Sequence, residues 1–223
     1  MRIITSIALM VLITLGLFGA ETKYACSGIS EELKVASEAI VRKHDQKVLL
    51  KPGGAVEHKV IEAITILEES GDNWAMFYGP YDKYKKIRGL TGRIYDASGK
   101  QVEVLKGDDI YDVSTIASYS LFDESRMKVI NAKYHSYPFT VEYSYTYLYK
   151  SFLELPDWKV YPAYNTAIEE ASFEITTASL GDFRYHMENC SMEPVITQED
   201  GAVHISWKVE NLPALTAESL TKT

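Results

Sequence analysis

The clearest pattern in the chain is an alternation of apolar and polar residues between positions 140 and 150. Val141 and four tyrosines occupy every second position, and Thr140, Glu142, Ser144 and Thr146 are among the residues between them. Successive side chains of a strand point to opposite faces, so this period predicts one strand with all its rings on one face. We call these four tyrosines, at positions 143, 145, 147 and 149, the tyrosine stripe.

Other segments show the same period or a turn between two such runs. Val203, Ile205, Trp207 and Val209 alternate with polar residues, which predicts a half-buried strand. Residues 92–96 and 101–105 flank a short glycine-containing turn and predict a hairpin. A plausible helix start at Ser30, with two glutamates after it, predicts one short N-terminal helix. Together these patterns predict an all-β fold, a large antiparallel β-sandwich.

The first twenty residues differ from the rest of the chain. Met1 and Arg2 precede an uncharged apolar run that ends at Ala20, which predicts a secretory signal peptide over residues 1–20. Retention of this run as a membrane anchor is the alternative interpretation. We expect an N-terminal tail and helix start at 21–32, the β-sandwich at 33–218 and a short tail at 219–223. The protein is therefore expected to be exported, either to a periplasm or outside the cell.

Charge and cysteine content narrow the possible partners. The 223 residues carry a formal net charge of −8, and no basic patch stands out, which argues against nucleic acid and anionic membrane surfaces as partners. No membrane contact is expected apart from the signal segment. Cys26 and Cys190 are the two cysteines, and an exported chain allows them either to form a disulfide or to remain separate thiols.

No motif for catalysis or for cofactor binding emerges. The five histidines are scattered, no Gly-x-Ser-x-Gly elbow occurs, and neither cysteine is followed by a helix pattern with a suitably spaced histidine. We therefore predict no catalytic residue, no metal ligand and no cofactor. The candidate ligand or core aromatics are Tyr143, Tyr145, Tyr147 and Trp158. They would form either an aromatic platform for a sugar or peptide or one face of the core.

An ordered set of short motifs resembles a known family. The motifs include Tyr137-Pro138, Val141-Glu142-Tyr143, Leu155-Pro156-Asp157-Trp158, Ala171-Ser172-Phe173 and Arg184-Tyr185. They are similar to a domain-of-unknown-function family that lies directly before transglutaminase-like domains in exported proteins of Bacteroidetes-type bacteria. The similarity spans roughly residues 33–218. It implies a β-sandwich accessory domain whose catalytic partner, a transglutaminase-like domain, acts in cis or in trans.

Three functions follow as hypotheses. The first is a non-catalytic domain that docks with a transglutaminase- or protease-like partner or presents substrate to it. The second is a stand-alone module that binds a glycan or a peptide. The third is an unrecognised cysteine hydrolase. The resemblance implies that the catalytic machinery lies outside this chain, so no active-site residue is transferred to it.

Overall fold

A computed structural model of the protein describes residues 22–115, 125–153, 155–178, 181, 184–188 and 191–217. The predicted signal peptide and the tail at 219–223 lie outside the described residues. None of the described helices is both long and apolar enough to cross a bilayer.

The described part of the chain is built mainly from strands. A single α-helix is described, α1, at Glu31–Lys34, and 3₁₀ turns occur at Cys26–Gly28, Glu69–Ala75 and Gly107–Asp109. The strands are β1 (Ala39–Leu50), β2 (Val56–Ile66), β3 (Met76–Tyr81), β4 (Lys85–Tyr95), β5 (Gln101–Leu105), β6 (Tyr111–Ser114), β7 (Arg126–Asn131), β8 (Phe139–Tyr149), β9 (Thr166–Thr177), β10 (Val195–Glu199) and β11 (Ala202–Leu212). The predictions of an all-β fold and of a short N-terminal helix are confirmed.

The strands form one large sheet and one small sheet. The large sheet has the order β10-β11-β9-β1-β2-β8-β4-β5, and the small sheet has the order β3-β7-β6. The sequence predicted antiparallel sheets. Strand β9 pairs with β1 in parallel, so the large sheet is mixed. Strands β8 and β9 run in the same direction with β2 and β1 between them, so their connection must cross back over the sheet.

The small sheet covers one part of the large sheet's inner face, which we define as the face that carries Tyr143 and Phe173. Phe77 of β3 and Ile130 of β7 share a buried cluster with Val141 and Tyr143 of β8. The Phe77 and Tyr143 rings lie 5.3 Å apart, and the Tyr143 hydroxyl donates a 2.8 Å hydrogen bond to the Ala75 carbonyl. These contacts make the small sheet the second layer of a sandwich over this part of the face.

Two irregular segments cover the rest of the inner face. The connection from β8 to β9 brings Trp158 onto Phe173, with the rings nearly parallel and 5.9 Å apart. The segment before β10 brings Tyr185 against Trp207, with ring centroids 5.4 Å apart. Side chains from segments without regular secondary structure, rather than a second sheet, therefore bury this part of the inner face.

The N-terminal segment packs on the opposite, outer face. Cys26 and Leu33 lie in a buried cluster with Ile40 of β1 and Ala167 of β9. The Cys26 amide donates a 3.0 Å hydrogen bond to the Ala97 carbonyl in the β4–β5 turn. The described part of the expected tail is thus docked on the sheet.

A substitution at Gly71 tests how tightly the turn between β2 and β3 is packed. A Cβ at Gly71 would lie 2.6 Å from the Glu38 carbonyl oxygen, a backbone atom that cannot rotate away. We expect Gly71→Ala to lower the free energy of unfolding by about 1–3 kcal/mol, measured by urea denaturation.

Gly28→Ala is the matched control, because a Cβ there would meet nothing within 4 Å. We expect it to change the free energy of unfolding by less than about 0.5 kcal/mol. Equal urea midpoints for the two variants would contradict the packing described for Gly71.

Candidate functional site

Four polar residues lie on the inner face of β1 and β2. They are His44 and Gln46 of β1 and His58 and Glu62 of β2, and we call them the polar seam. His44 pairs with Glu62 across the two strands, and Glu62 pairs with Tyr143 of β8. Gln46 and His58 are each only 5% exposed. A buried polar pair inside an otherwise apolar layer needs hydrogen bonds to offset its desolvation.

A chain of hydrogen bonds joins the first three members of the seam. His58 Nε2 lies 2.8 Å from Gln46 Oε1, and Gln46 Nε2 lies 2.9 Å from His44 Nε2. The amide oxygen can only accept and the amide nitrogen can only donate. His58 therefore donates from Nε2 to Gln46, and the Gln46 amide donates to His44 Nε2. His58 Nδ1 is buried without a hydrogen-bond partner among the described residues.

Burial dominates the protonation of His58. It lowers the pKa of His58 from 6.5 to about 4, and the Lys85 charge acts in the same direction. The imidazole is consequently neutral at neutral pH. The neutral imidazole donates one hydrogen bond to Gln46, which adds a side-chain link between β2 and β1.

Glu62 is the anionic member of the seam and lines a cleft between the two sheets. The aromatic cleft, as we call it, has a volume of about 230 Å³. Its walls are formed by Glu62, Ile64, Trp74, Met76, Phe77, Tyr78, Tyr143 and Tyr145. Glu62 is half-buried, and no cationic group of the described residues forms an ion pair with it.

The end of the tyrosine stripe formed by Tyr147 and Tyr149 contacts a lysine of the same chain. The ammonium of Lys85 lies 5.1 Å from the centroid of the Tyr147 ring and 5.8 Å from that of Tyr149. Such distances are typical of cation–π contacts. This end of the stripe is therefore occupied from within the protein.

The outer face carries a different charged cluster around Glu142. This carboxylate pairs with Lys23 and, at 3.1 Å, with Arg93, and it accepts a 2.9 Å hydrogen bond from the Tyr24 hydroxyl. Burial acts to raise the pKa of Glu142, but these partners outweigh burial and lower it. Its charge is fully compensated, so we assign this cluster to docking of the N-terminal segment.

The candidate aromatics chosen from sequence have unequal surroundings. Tyr143 and Tyr147 are buried, at 2% and 9% exposure. Tyr145 is half-buried and lines the cleft, and Trp158 is half-buried against both core clusters. The structure brings Tyr143 and Tyr145 together in the cleft and places Trp158 over Phe173.

The structure describes the surroundings of one of the two cysteines, Cys26. Cys26 is buried, and burial raises the pKa of its thiol, which disfavours the reactive thiolate. Cys190 lies outside the described residues, so a disulfide between the two stays a prediction. Across the described ranges no group of three or more histidine, cysteine, aspartate or glutamate side chains could hold a metal ion.

Sequence reasoning did not single out the members of the polar seam. The signal was present in β2, where His58 and Glu62 take the same period-two positions as Val60 and Ile64. A histidine and a glutamate at buried-face positions of an otherwise apolar strand are unusual, because such groups rarely enter a core without partners.

A family comparison identifies the chain. The family DUF3857, described as a domain of unknown function with a solved structure, matches residues 52–216. The chain belongs to the DUF3857 family. This result confirms the predicted membership of a domain-of-unknown-function family. No curated protein is significantly similar to the chain.

Comparison with solved structures found several chains with structural similarity to this DUF3857 chain. A crystal structure of a proposed protease from Parabacteroides distasonis matches 82% of this chain with a TM-score of 0.63 and 14% identity. The M1 zinc metallopeptidase of Deinococcus radiodurans matches 77% of this chain with a TM-score of 0.31 and 10% identity. The yeast LTA4 hydrolase in complex with bestatin matches 83% of this chain with a TM-score of 0.33 and 11% identity. The DUF3857 chain spans 37%, 39% and 30% of these three chains, respectively.

The neutral His58 makes the stability of this DUF3857 chain depend on pH. Its folded pKa is depressed, so the unfolded chain binds more protons between about pH 6.5 and about pH 4. The stabilisation is complete above about pH 6.5 and is lost as the pH falls. One pKa unit corresponds to about 1.4 kcal/mol, so we expect the His58 contribution to the loss to be about 3 kcal/mol.

Urea denaturation at both ends of this pH range measures the effect. His58→Gln keeps an N–H donor for Gln46 and should lose about 3 kcal/mol less than the wild type. His186→Gln is the control, because the His186 side chain is 84% exposed, and it should follow the wild type. A His58→Gln variant with the wild-type pH dependence would contradict burial as the cause.

Proposed function

We propose that this chain is a non-catalytic domain that accompanies a transglutaminase- or peptidase-like catalytic domain, either docking with it or presenting substrate to it. The observation that carries the proposal is the match to the proposed protease from Parabacteroides distasonis. The fold recurs there with a TM-score of 0.63 but accounts for only 37% of that chain. The resemblance to domains that precede transglutaminase-like domains supports the same arrangement.

The chemistry of the described residues agrees with this role. Catalysis by a cysteine needs a thiolate that a nearby imidazole stabilises. Cys26 is buried and belongs to the outer-face cluster with Leu33, whereas His44 and His58 are hydrogen-bonded to Gln46 in the inner-face seam. The sheet separates the thiol from these imidazoles. Export of the chain, argued from residues 1–20, belongs to the same proposal.

Peptide binding is the second candidate function, and the aromatic cleft favours it. The cleft combines one carboxylate with several aromatic side chains, a combination that suits a peptide side chain. A glycan platform is less favoured, because Tyr143, Tyr147 and Tyr149 are buried and cannot stack against a sugar. Peptide binding is also what a domain that presents substrate would require.

Affinity capture tests the accompanying role. The purified, immobilised chain is incubated with envelope extract of the source cells, and the retained proteins are identified by mass spectrometry. We expect enrichment of a protein with a transglutaminase- or peptidase-like domain, relative to beads that carry an unrelated β-sandwich. Recovery of no such protein, together with a reading frame that encodes no such domain, would contradict the proposal.

An activity assay on the same preparation tests the non-catalytic role. We expect the purified chain to hydrolyse neither peptide nor ester substrates. Activity that is lost in Cys26→Ser or Cys190→Ser would instead support the cysteine hydrolase hypothesis. Activity that survives both substitutions would also contradict the proposal.

A further inference from the structure

We propose that the aromatic cleft binds a basic side chain, lysine or arginine, of an extended peptide segment. The inference rests on the proposed function, because it names the feature that a presented substrate would offer to this domain. The inference also gives the polar seam a role in binding, because its carboxylate, Glu62, lines the cleft.

The shape of the cleft suits one long side chain. Phe77 lies 5.3 Å from Tyr143 and 5.0 Å from Tyr145, ring centroid to ring centroid, so these three side chains form a continuous apolar wall. The volume of about 230 Å³ is small for a whole peptide or oligosaccharide. Tyr78 also lines the cleft and is 57% exposed. A side chain that extends from a peptide outside the cleft fits this arrangement.

The charge of the cleft specifies the sign of the ligand. Glu62 is the one ionisable carboxylate among the cleft-lining residues, and it has no ion-pair partner in the described ranges. Its cross-strand neighbour His44 accepts a hydrogen bond from Gln46 and forms no ion pair with Glu62 in the described ranges. A half-buried carboxylate without a cation has lost part of its hydration without a compensating partner. A cationic ligand group supplies that partner.

The aromatic side chains favour an organic cation over a metal ion. Trp74, Tyr78 and Tyr145 line the same cleft as the carboxylate, and the faces of aromatic rings attract ammonium and guanidinium groups. Burial raises the pKa of Tyr145 well above its ordinary value, and the Glu62 charge adds to this effect, so the ring stays neutral. Lys85 on Tyr147 shows the same contact within the chain.

The position of β3 favours an extended peptide as the carrier of the basic group. Met76, Phe77 and Tyr78 of the cleft belong to β3, which is an edge strand of the small sheet. On its other side no described strand pairs with it. Edge strands accept extended peptides through main-chain hydrogen bonds, while pockets select alternate side chains. A peptide along β3 would place one basic residue in the cleft.

Binding of short peptides tests the proposal. The probes are fluorescein-labelled peptides Gly-Ser-Val-X-Val-Ser-Gly, where X is lysine, arginine or norleucine, titrated with the full chain at low salt and followed by fluorescence anisotropy. Norleucine keeps most of the lysine side chain and removes the charge. We expect the lysine and arginine peptides to bind, and the norleucine peptide to bind about tenfold more weakly. No binding of either basic peptide, or equal binding of all three, overturns the proposal.

Matched variants locate the site. Glu62→Gln is isosteric and should weaken binding of the lysine peptide about tenfold, whereas Glu103→Gln removes the same charge from an exposed position on β5 and should not change it. Tyr78→Ala removes an exposed ring and should weaken binding severalfold without unfolding the chain. Unfolding curves confirm that each variant is folded. If Glu62→Gln and Tyr78→Ala both bind like the wild type, the cleft is not the site.

The capture experiment separates failure of this inference from failure of the proposed function. A chain that recovers its catalytic partner but binds no basic peptide refutes the cleft assignment and leaves the accompanying role intact. A chain that binds basic peptides through Glu62 but recovers no catalytic partner refutes the accompanying role. In that case the chain is an independent peptide-binding module.

Discussion

Eight strands side by side present an inner face wider than three strands can bury, and the rest of the molecule follows from this mismatch. The β8–β9 connection must cross the sheet because β1 and β9 are parallel, and it carries Trp158 onto the part that the small sheet leaves open. The Tyr185 segment completes the cover over Trp207. Hydrophobic burial on this face is therefore supplied by a small sheet and two irregular segments.

The polar seam and the aromatic cleft lie within this inner layer. Apolar packing alone would place an aliphatic side chain at His58 and at Glu62, as it does at Val60 and Ile64. His58 donates a hydrogen bond to Gln46 from Nε2, whereas Glu62 forms no ion pair within the described residues. This half-buried carboxylate is the feature of the inner layer on which the proposed peptide binding depends.

Part of this arrangement could be predicted from the sequence, and part could not. The period-two pattern of the tyrosine stripe correctly predicted strand β8. The glycine-containing turn at Gly99 correctly predicted the β4–β5 hairpin. The parallel pairing of β9 with β1 joins segments more than a hundred residues apart, which no local period specifies. Glu62 became a candidate only through the register that sets it beside Tyr143, and the cleft exists only because β3 faces it.

The docked N-terminal segment has a consequence for how the domain is oriented. Lys23 and Tyr24 are held on the outer face by Glu142, whereas the aromatic cleft opens on the inner side of the same sheet. A label or tether attached at Lys23 would therefore hold the domain by the side of the sheet remote from the cleft and would leave the cleft uncovered.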